Sequence, residues 1–272
     1  MTCINAVSFH EYKSVESICR IVREAGFNSL EVSRPPFYEK LTTAETRAAF
    51  VRWCESIGLS LYGFDCWVEV EPFEAFDETL VEFGRAVEFA SALDLGLIIS
   101  HDTWAHANGE RTPAEVLNTN VRLFRQVAEL TAARYLKLVF EPHPDTLSMD
   151  DAWCADFIDA VSDGHAEGSV GVLYDTCHYG VGQPDSYVRA IETLGKRIKH
   201  VHFSDGDRET YALHLPVGDG CLDLASVTAA LKQIGFDGSL TCDMFNYPLL
   251  EDGARRNLEP IRQVELDLGL TK

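Results

Sequence analysis

The stretch "SVESICRIVREAGFNSLEVS", residues 14–33, holds two periodicities joined by one glycine. Val15, Ile18, Ile21 and Val22 recur at spacings of three and four, so they share one helix face. Gly26 supplies a left-handed helix stop. "SLEVS", 29–33, then reads as a short strand. The join "EAGF" returns as "SIGL", "DLGL" and "QIGF". Working outward gives eight candidate strands, at 4–9, 29–33, 59–65, 96–101, 137–141, 170–175, 199–204 and 239–245. Helical patterns lie between them, one over 113–135 with Pro113 in its first turn. Eight evenly spaced β–α units predict an α/β chain, a (β/α)8 TIM barrel forming one domain over 1–272. A doubly wound open sheet is the alternative. It loses because no G-x-G-x-x-G follows the first strand.

Composition bounds the function. The 272 residues carry 23 Lys+Arg against 43 Asp+Glu, a formal net charge of -20. Such a surface repels phosphate backbones and anionic lipid, so neither nucleic acid nor membrane is an expected partner. No apolar run approaches the ~20 residues that span a bilayer. The opening "MTCINAVSFH" lacks a basic segment followed by a long apolar one, so no secretory leader is expected. The eight cysteines, Cys3, Cys19, Cys54, Cys66, Cys154, Cys177, Cys221 and Cys242, form no C-x-x-C pair and read as reduced, buried thiols. A soluble, cytoplasmic protein is the expectation.

The chemistry concentrates at strand ends. In "KLVFEPHPDTL", 137–147, an apolar strand meets Glu141, Pro142, His143 and Pro144. The prolines cannot donate to a ladder, so pairing should stop there, with Glu141 and His143 projecting from one face. The carboxyl ends of later strands carry Asp175, His202 and Asp243. In a barrel these ends share one mouth. Three carboxylates confined together raise one another's pKa, and a divalent cation removes that conflict. Three oxygens and one nitrogen suit Mn²⁺, Mg²⁺, Co²⁺ or Zn²⁺, and the lack of thiolate argues against a closed structural zinc site.

These residues also carry a family resemblance. "VFEPHPD" (139–145), "LYDTCH" (173–178), "HVHFSDGDR" (200–208) with "HLPVGDG" (214–220), and "LTCDMF" (240–245) resemble successive motifs of the sugar phosphate isomerase/epimerase family, the xylose-isomerase-like barrels. The resemblance implies one metal ion, Mn²⁺ first among the candidates, held by Glu141, Asp175, His202 and Asp243. It implies that His178 and Arg208 contact substrate. The family's usual Glu at the last ligand position is Asp243 here. The implied substrate is a small carbohydrate or related polyol or keto acid, and the resemblance allows monomers, dimers and tetramers.

The implied reaction removes a proton beside a carbonyl through a metal-stabilised enediolate. Glu141 is the candidate base and Asp243 the opposite acid/base. His143 and His101 are candidate substrate contacts. "FEPHPDTL" also resembles 3-dehydroshikimate dehydratases, which makes a lyase the alternative; elimination from 3-oxo-glycosides uses the same groups. Apurinic endonucleases share the barrel, but their multi-metal sites and DNA substrate do not suit charge -20. A non-catalytic sugar-binding barrel is a third reading. Of the remaining polar groups, His200 reads as a ligand-orienting or core histidine, His214 as site or surface, and Glu31 as a salt-bridge partner of Arg34 or a neighbour. Arg34 reads as a solvated loop residue. Trp67, Phe73 and Trp104 read as rim packing or an apolar wall for a sugar.

Overall fold

Eight short segments pair in parallel, each with the next: β1 (Cys3–Asn5), β2 (Ser29–Ser33), β3 (Ser60–Asp65), β4 (Leu97–Ser100), β5 (Lys137–Phe140), β6 (Val170–Asp175), β7 (Ile198–Phe203) and β8 (Ser239–Cys242). β8 pairs with β1, which closes the sheet into a barrel. The computed structural model describes residues 2–9, 14–101 and 111–270. With helices between the strands, this is the single-domain (β/α)8 TIM barrel that the alternating pattern predicts.

The unit at 14–33 folds as its pattern dictates. Ser14 caps the helix Val15–Ala25 by accepting the Ser17 N–H, and Val15, Ile18, Cys19 and Val22 are buried. Gly26, at φ 100°, donates its N–H to the last-turn carbonyls of Val22 and Arg23. Gly58 and Gly235 also have positive φ. "DLGL" differs: the left-handed residue is Asp94 (φ 55°), while Gly96 donates its N–H to Tyr62 on β3. A short polar side chain tolerates that conformation, so the stop comes two residues before the glycine.

Strand ends are shorter than the apolar runs suggest. The run 4–9 is strand only over Cys3–Asn5, because Asn5 Oδ1 accepts the Val7 N–H (2.9 Å) and turns the chain into a 3-10 segment, Ala6–Phe9. β5 and β8 end one residue before Glu141 and Asp243. The helix at 113 opens on Pro113 behind a Thr112–Glu115 capping box and ends at Ala132.

The main core lies between the sheet and the helices, with Phe124 packed edge-on against Phe83, Phe140 and Phe157. The barrel interior is divided. Leu97, Ile99, Val139 and Leu173 fill one side, whereas Glu31, His200, His202 and Thr241 occupy the other. Seven cysteines are buried and none is in a disulfide; Cys221 is exposed, against expectation, on the loop that follows β7. Among the described residues no helix is long and apolar enough to cross a membrane.

Gly26→Ala should lower stability by about 1–2 kcal/mol, because Ala resists φ 100° and its Cβ would lie 2.5 Å from a terminal methyl of Leu258. Urea denaturation measures this, and an unchanged midpoint contradicts it.

Candidate metal centre

Barrel closure gathers the ends of β5 to β8. Glu141 follows β5, Asp175 ends β6, His202 lies in β7 and Asp243 follows β8; all four are buried. His202 sits among the carboxylates. Its Nδ1 is 3.0 Å from Glu141 Oε1, 3.6 Å from Asp243 Oδ2 and 3.8 Å from Asp175 Oδ2. Glu141, Asp175 and His202 offer ligand atoms that all lie within 4.8 Å of one another. Acidic and imidazole groups are thus positioned to bind a metal ion.

The local chain explains each placement. Asp175 Oδ1 caps the next helix by accepting the His178 N–H (2.7 Å). Its other oxygen, Oδ2, is buried without a hydrogen-bond partner, as is His214 Nδ1. A carboxylate oxygen buried without a partner and facing this cluster fits a cation. Ser8 donates its hydroxyl to Asp243 Oδ1 (3.2 Å), and His214 Nδ1 lies 3.2 Å from Asp243 Oδ2.

Electrostatics sorts the side chains into two groups. Burial, with Asp175 and Asp243 nearby, raises the Glu141 pKa, although His202 opposes the rise. Burial disfavours the charged form of His202 and of His214. Carboxylates outweigh it in both, Glu31 and Glu141 for His202 and Asp175 and Asp243 for His214, so both pKa values lie well above the ordinary histidine range. His143, His178 and His101 go the other way. Burial and neighbouring imidazoles push His143 and His178 well below that range, and burial brings His101 to about 4.

The neutral rings are oriented by backbone. His143 Nδ1 donates to the Glu141 carbonyl (3.0 Å) and His178 Nδ1 to the Pro142 carbonyl (3.2 Å). The His143 and His178 ring centroids are 4.3 Å apart, and His101 packs on His143 at 5.3 Å. Arg208 stands apart from this group. It is exposed, donates to Tyr187 Oη (3.1 Å) and lies over the Tyr187 ring. Arg34 pairs with Glu39 and Glu82 at the surface, and Phe73 packs under Arg111. Trp67 lines the cavity, whereas Trp104 lies outside the described residues.

Two carboxylates depart from the sequence reading. Glu31 does not pair with Arg34; it is fully buried and bonds His200 and His202. Asp65 went unread. It ends β3 in "LYGFD" much as Asp175 ends β6 in "VGVLYD", and that signal was available. Trp67 Nε1 donates to its Oδ2 (2.9 Å), and burial followed by the charge of Glu141 raises its pKa strongly. His214, read as either site or surface, is buried in the cluster. Asp65 and His214, with Glu141, His202 and Asp243, border a cavity of about 50 Å³ lined also by Val7, Tyr211 and Phe245.

The family described as "Xylose isomerase-like TIM barrel" matches residues 19–264. The chain belongs to this family. A curated relative, the uncharacterized protein MJ1311 of Methanocaldococcus jannaschii, is 24% identical over 162 residues, 59% of this chain; the match spans 55% of that protein. Among solved structures, a D-tagatose 3-epimerase-like protein superposes with TM-score 0.79 at 16% identity, covering 98% of each chain. The probable 3-DHS dehydratase AsbF of Bacillus anthracis gives TM-score 0.78 at 14% identity, covering 96% of this chain and 98% of that one. The IOLI protein, solved with a binding zinc atom, gives 0.76 at 14% identity, covering 98% and 97%. Likeness at these identities speaks to the fold.

The depressed His101 pKa carries a stability consequence. Between about 6.5 and about 4 the unfolded chain holds a proton that folded His101 refuses, so stability falls as pH drops through that window. The full loss is about 3 kcal/mol. His101→Gln should remove this part of the acid sensitivity. Denaturant melts of both proteins at pH 7 and pH 5 check it, and equal losses in the two would rule it out.

Proposed function

We propose that the chain is a divalent-metal-dependent enzyme that removes a proton from a carbon next to a carbonyl in a small carbohydrate and so epimerises or isomerises it. The observation that carries this reading is the convergence of Glu141, Asp175 and Asp243 on His202 at one buried mouth. These four residues would hold the ion, with Mn²⁺ the first choice for an oxygen-rich set. When bound, the ion supplies positive charge against the carbonyl oxygen as the proton leaves.

The chain's own groups do the rest. Glu141 is the base: burial raises its proton affinity toward the range useful for abstraction. His143 and His178, neutral and tied through Nδ1–H to backbone carbonyls, line the cavity, and a bare Nε2 on each leaves an acceptor for substrate hydroxyl hydrogens. Trp67 adds an aromatic side chain to the mouth. The enclosed space of about 50 Å³ takes an ion with one or two waters, so the sugar occupies the mouth above it. The described lining residues include no Lys or Arg, and Arg34 and Arg208 are engaged elsewhere.

One observation favours a second reading, a dehydratase of the same family. An epimerase returns the proton on the opposite face. Asp243, shorter than Glu and held by the Ser8 hydroxyl, is poorly extended for that task. Elimination requires Glu141 alone as the base, with loss of water from the neighbouring carbon.

Glu141→Gln should abolish solvent-deuterium incorporation into substrate while the protein stays folded by circular dichroism. The assay screens free ketoses, their phosphates and 3-oxo sugars with and without Mn²⁺, and NMR of the products separates epimer, isomer and dehydrated acid. Undiminished exchange in the variant removes Glu141 as base. Ion binding should also release protons, because His202 and His214 carry raised pKa values without it. Apparent affinity should therefore increase with pH, and calorimetry in two buffers of different ionisation enthalpy counts the protons; zero would contradict the ligand set.

A further inference from the structure

The barrel interior holds a hydrogen-bonded chain beneath the metal centre that the proposed chemistry does not use. Glu31 on β2 reaches across the axis to β7. Its Oε1 accepts the His202 Nε2–H (2.8 Å) and its Oε2 accepts the His200 Nε2–H (2.7 Å). Thr241 on β8 adds a third donor to Oε2 (3.3 Å). His200 Nδ1 accepts in turn from the Ser239 hydroxyl (2.6 Å). Glu31 and His200 are 0% exposed. Space for the Glu31 stem comes from Gly63, where a Cβ would lie 3.3 Å from Glu31 Cγ and 2.8 Å from Leu97.

We infer that Glu31 is the positioning residue of the metal centre, fixing His202 so that Nδ1 is the ligating atom. The inference rests on the metal reading above. Imidazole has two nitrogens, and a metal requires one of them as a bare lone pair. A carboxylate that takes the Nε2–H leaves Nδ1 for the ion, sets the ring's angle and increases its basicity. His202 Nδ1 is the atom that faces Glu141, Asp175 and Asp243.

The same three side chains, Glu31, His200 and His202, are close enough to hold an ion themselves. The pairing speaks against that. On this side every candidate atom is already hydrogen-bonded at 2.7 or 2.8 Å. On the Nδ1 side His202 meets Glu141 Oε1 at 3.0 Å, but Asp175 Oδ2 is buried with no hydrogen-bond partner, so that side still has a ligand atom to offer. A purely structural role is also a poor account. The other half of the interior is filled by Leu97, Ile99, Val139 and Leu173, and apolar packing replaces a buried ionic cluster at little or no cost in stability.

Glu31→Gln is the informative change. Gln keeps the shape but offers one acceptor oxygen and one N–H₂ group, so two Nε2–H donors no longer find two acceptors. One imidazole must rotate or change tautomer. Mn²⁺ affinity, read from the free-ion electron paramagnetic resonance signal during titration of the purified protein, should fall about 10- to 100-fold. Glu31→Asp, which keeps the charge at shorter reach, should recover part of the loss. The wild type supplies an independent readout: in the Zn²⁺-loaded protein, long-range ¹H–¹⁵N NMR should show His202 protonated at Nε2 and bare at Nδ1. That measurement decides the matter even where a variant fails to fold. Equal Mn²⁺ affinity in wild type and Glu31→Gln, or a His202 bare at Nε2, overturns the role of Glu31 and leaves the metal reading standing. A wild type that takes up no divalent ion removes both.

Discussion

Buried carboxylates that face one another repel, and the organisation of this mouth follows from that repulsion. Glu141, Asp175 and Asp243 lie together at one buried mouth, an arrangement that calls for a counter-charge between them. Two imidazoles supply it in the metal-free protein: His202, between the carboxylates, and His214, against Asp175 and Asp243. A divalent ion held there would replace those protons with a fixed double charge. The barrel's part is geometric, since parallel strands deliver their carboxyl ends to one rim without long loops. The rigid sheet holds the carboxylates closer together than their charge alone would permit.

The fold was legible because its signal repeats. One helix–glycine–strand unit is weak; four such joins, with strands at even spacing, leave little besides a barrel. The reading erred where local hydrogen bonds competed with pattern. Asn5 ends β1 early by capturing the Val7 N–H, and Asp94 takes the left-handed role assigned to Gly96. At the site, residues that interrupt apolar strand ends stood out, so Glu141, Asp175, His202 and Asp243 could be named from chain order. Asp65 carries the same mark at the end of β3, outside the run of strands five to eight whose motifs name the other four. Glu31 was misassigned for a deeper reason. Its partners lie 169 and 171 residues away across the barrel axis, a pairing that periodicity does not encode. Arg208 shows the converse: its motif resembles the family's, yet its guanidinium rests on Tyr187.

The divided interior adds a level of organisation below the rim. Apolar side chains from β4, β5 and β6 pack one half, and a satisfied polar set from β2, β7 and β8 fills the other. Buried polar groups are tolerable only when every donor meets an acceptor, which explains why Ser239 and Thr241 accompany Glu31 and His200. Gly63 belongs to the same arrangement, because a side chain there would collide with Leu97 and crowd the Glu31 stem. The polar half lies under His202, so the sheet that positions the carboxylates also supports the imidazole among them.

The segment "EPHP" finally explains the division between charged and neutral imidazoles. Pro142 and Pro144 lack N–H groups, so the chain leaves the ladder after Glu141 and its carbonyls turn toward side chains. The Glu141 carbonyl accepts from His143 and the Pro142 carbonyl from His178. A carbonyl dipole orients a ring without making it an ion, whereas the carboxylates around His202 and His214 favour protonation. Burial then keeps His143 and His178 neutral. The rim thus presents acidic groups with two ionisable imidazoles on one arc and fixed, uncharged imidazoles beside it. One short motif ending β5 divides a single mouth into an arc of acidic groups positioned for a metal ion and an arc of neutral imidazoles held by backbone carbonyls.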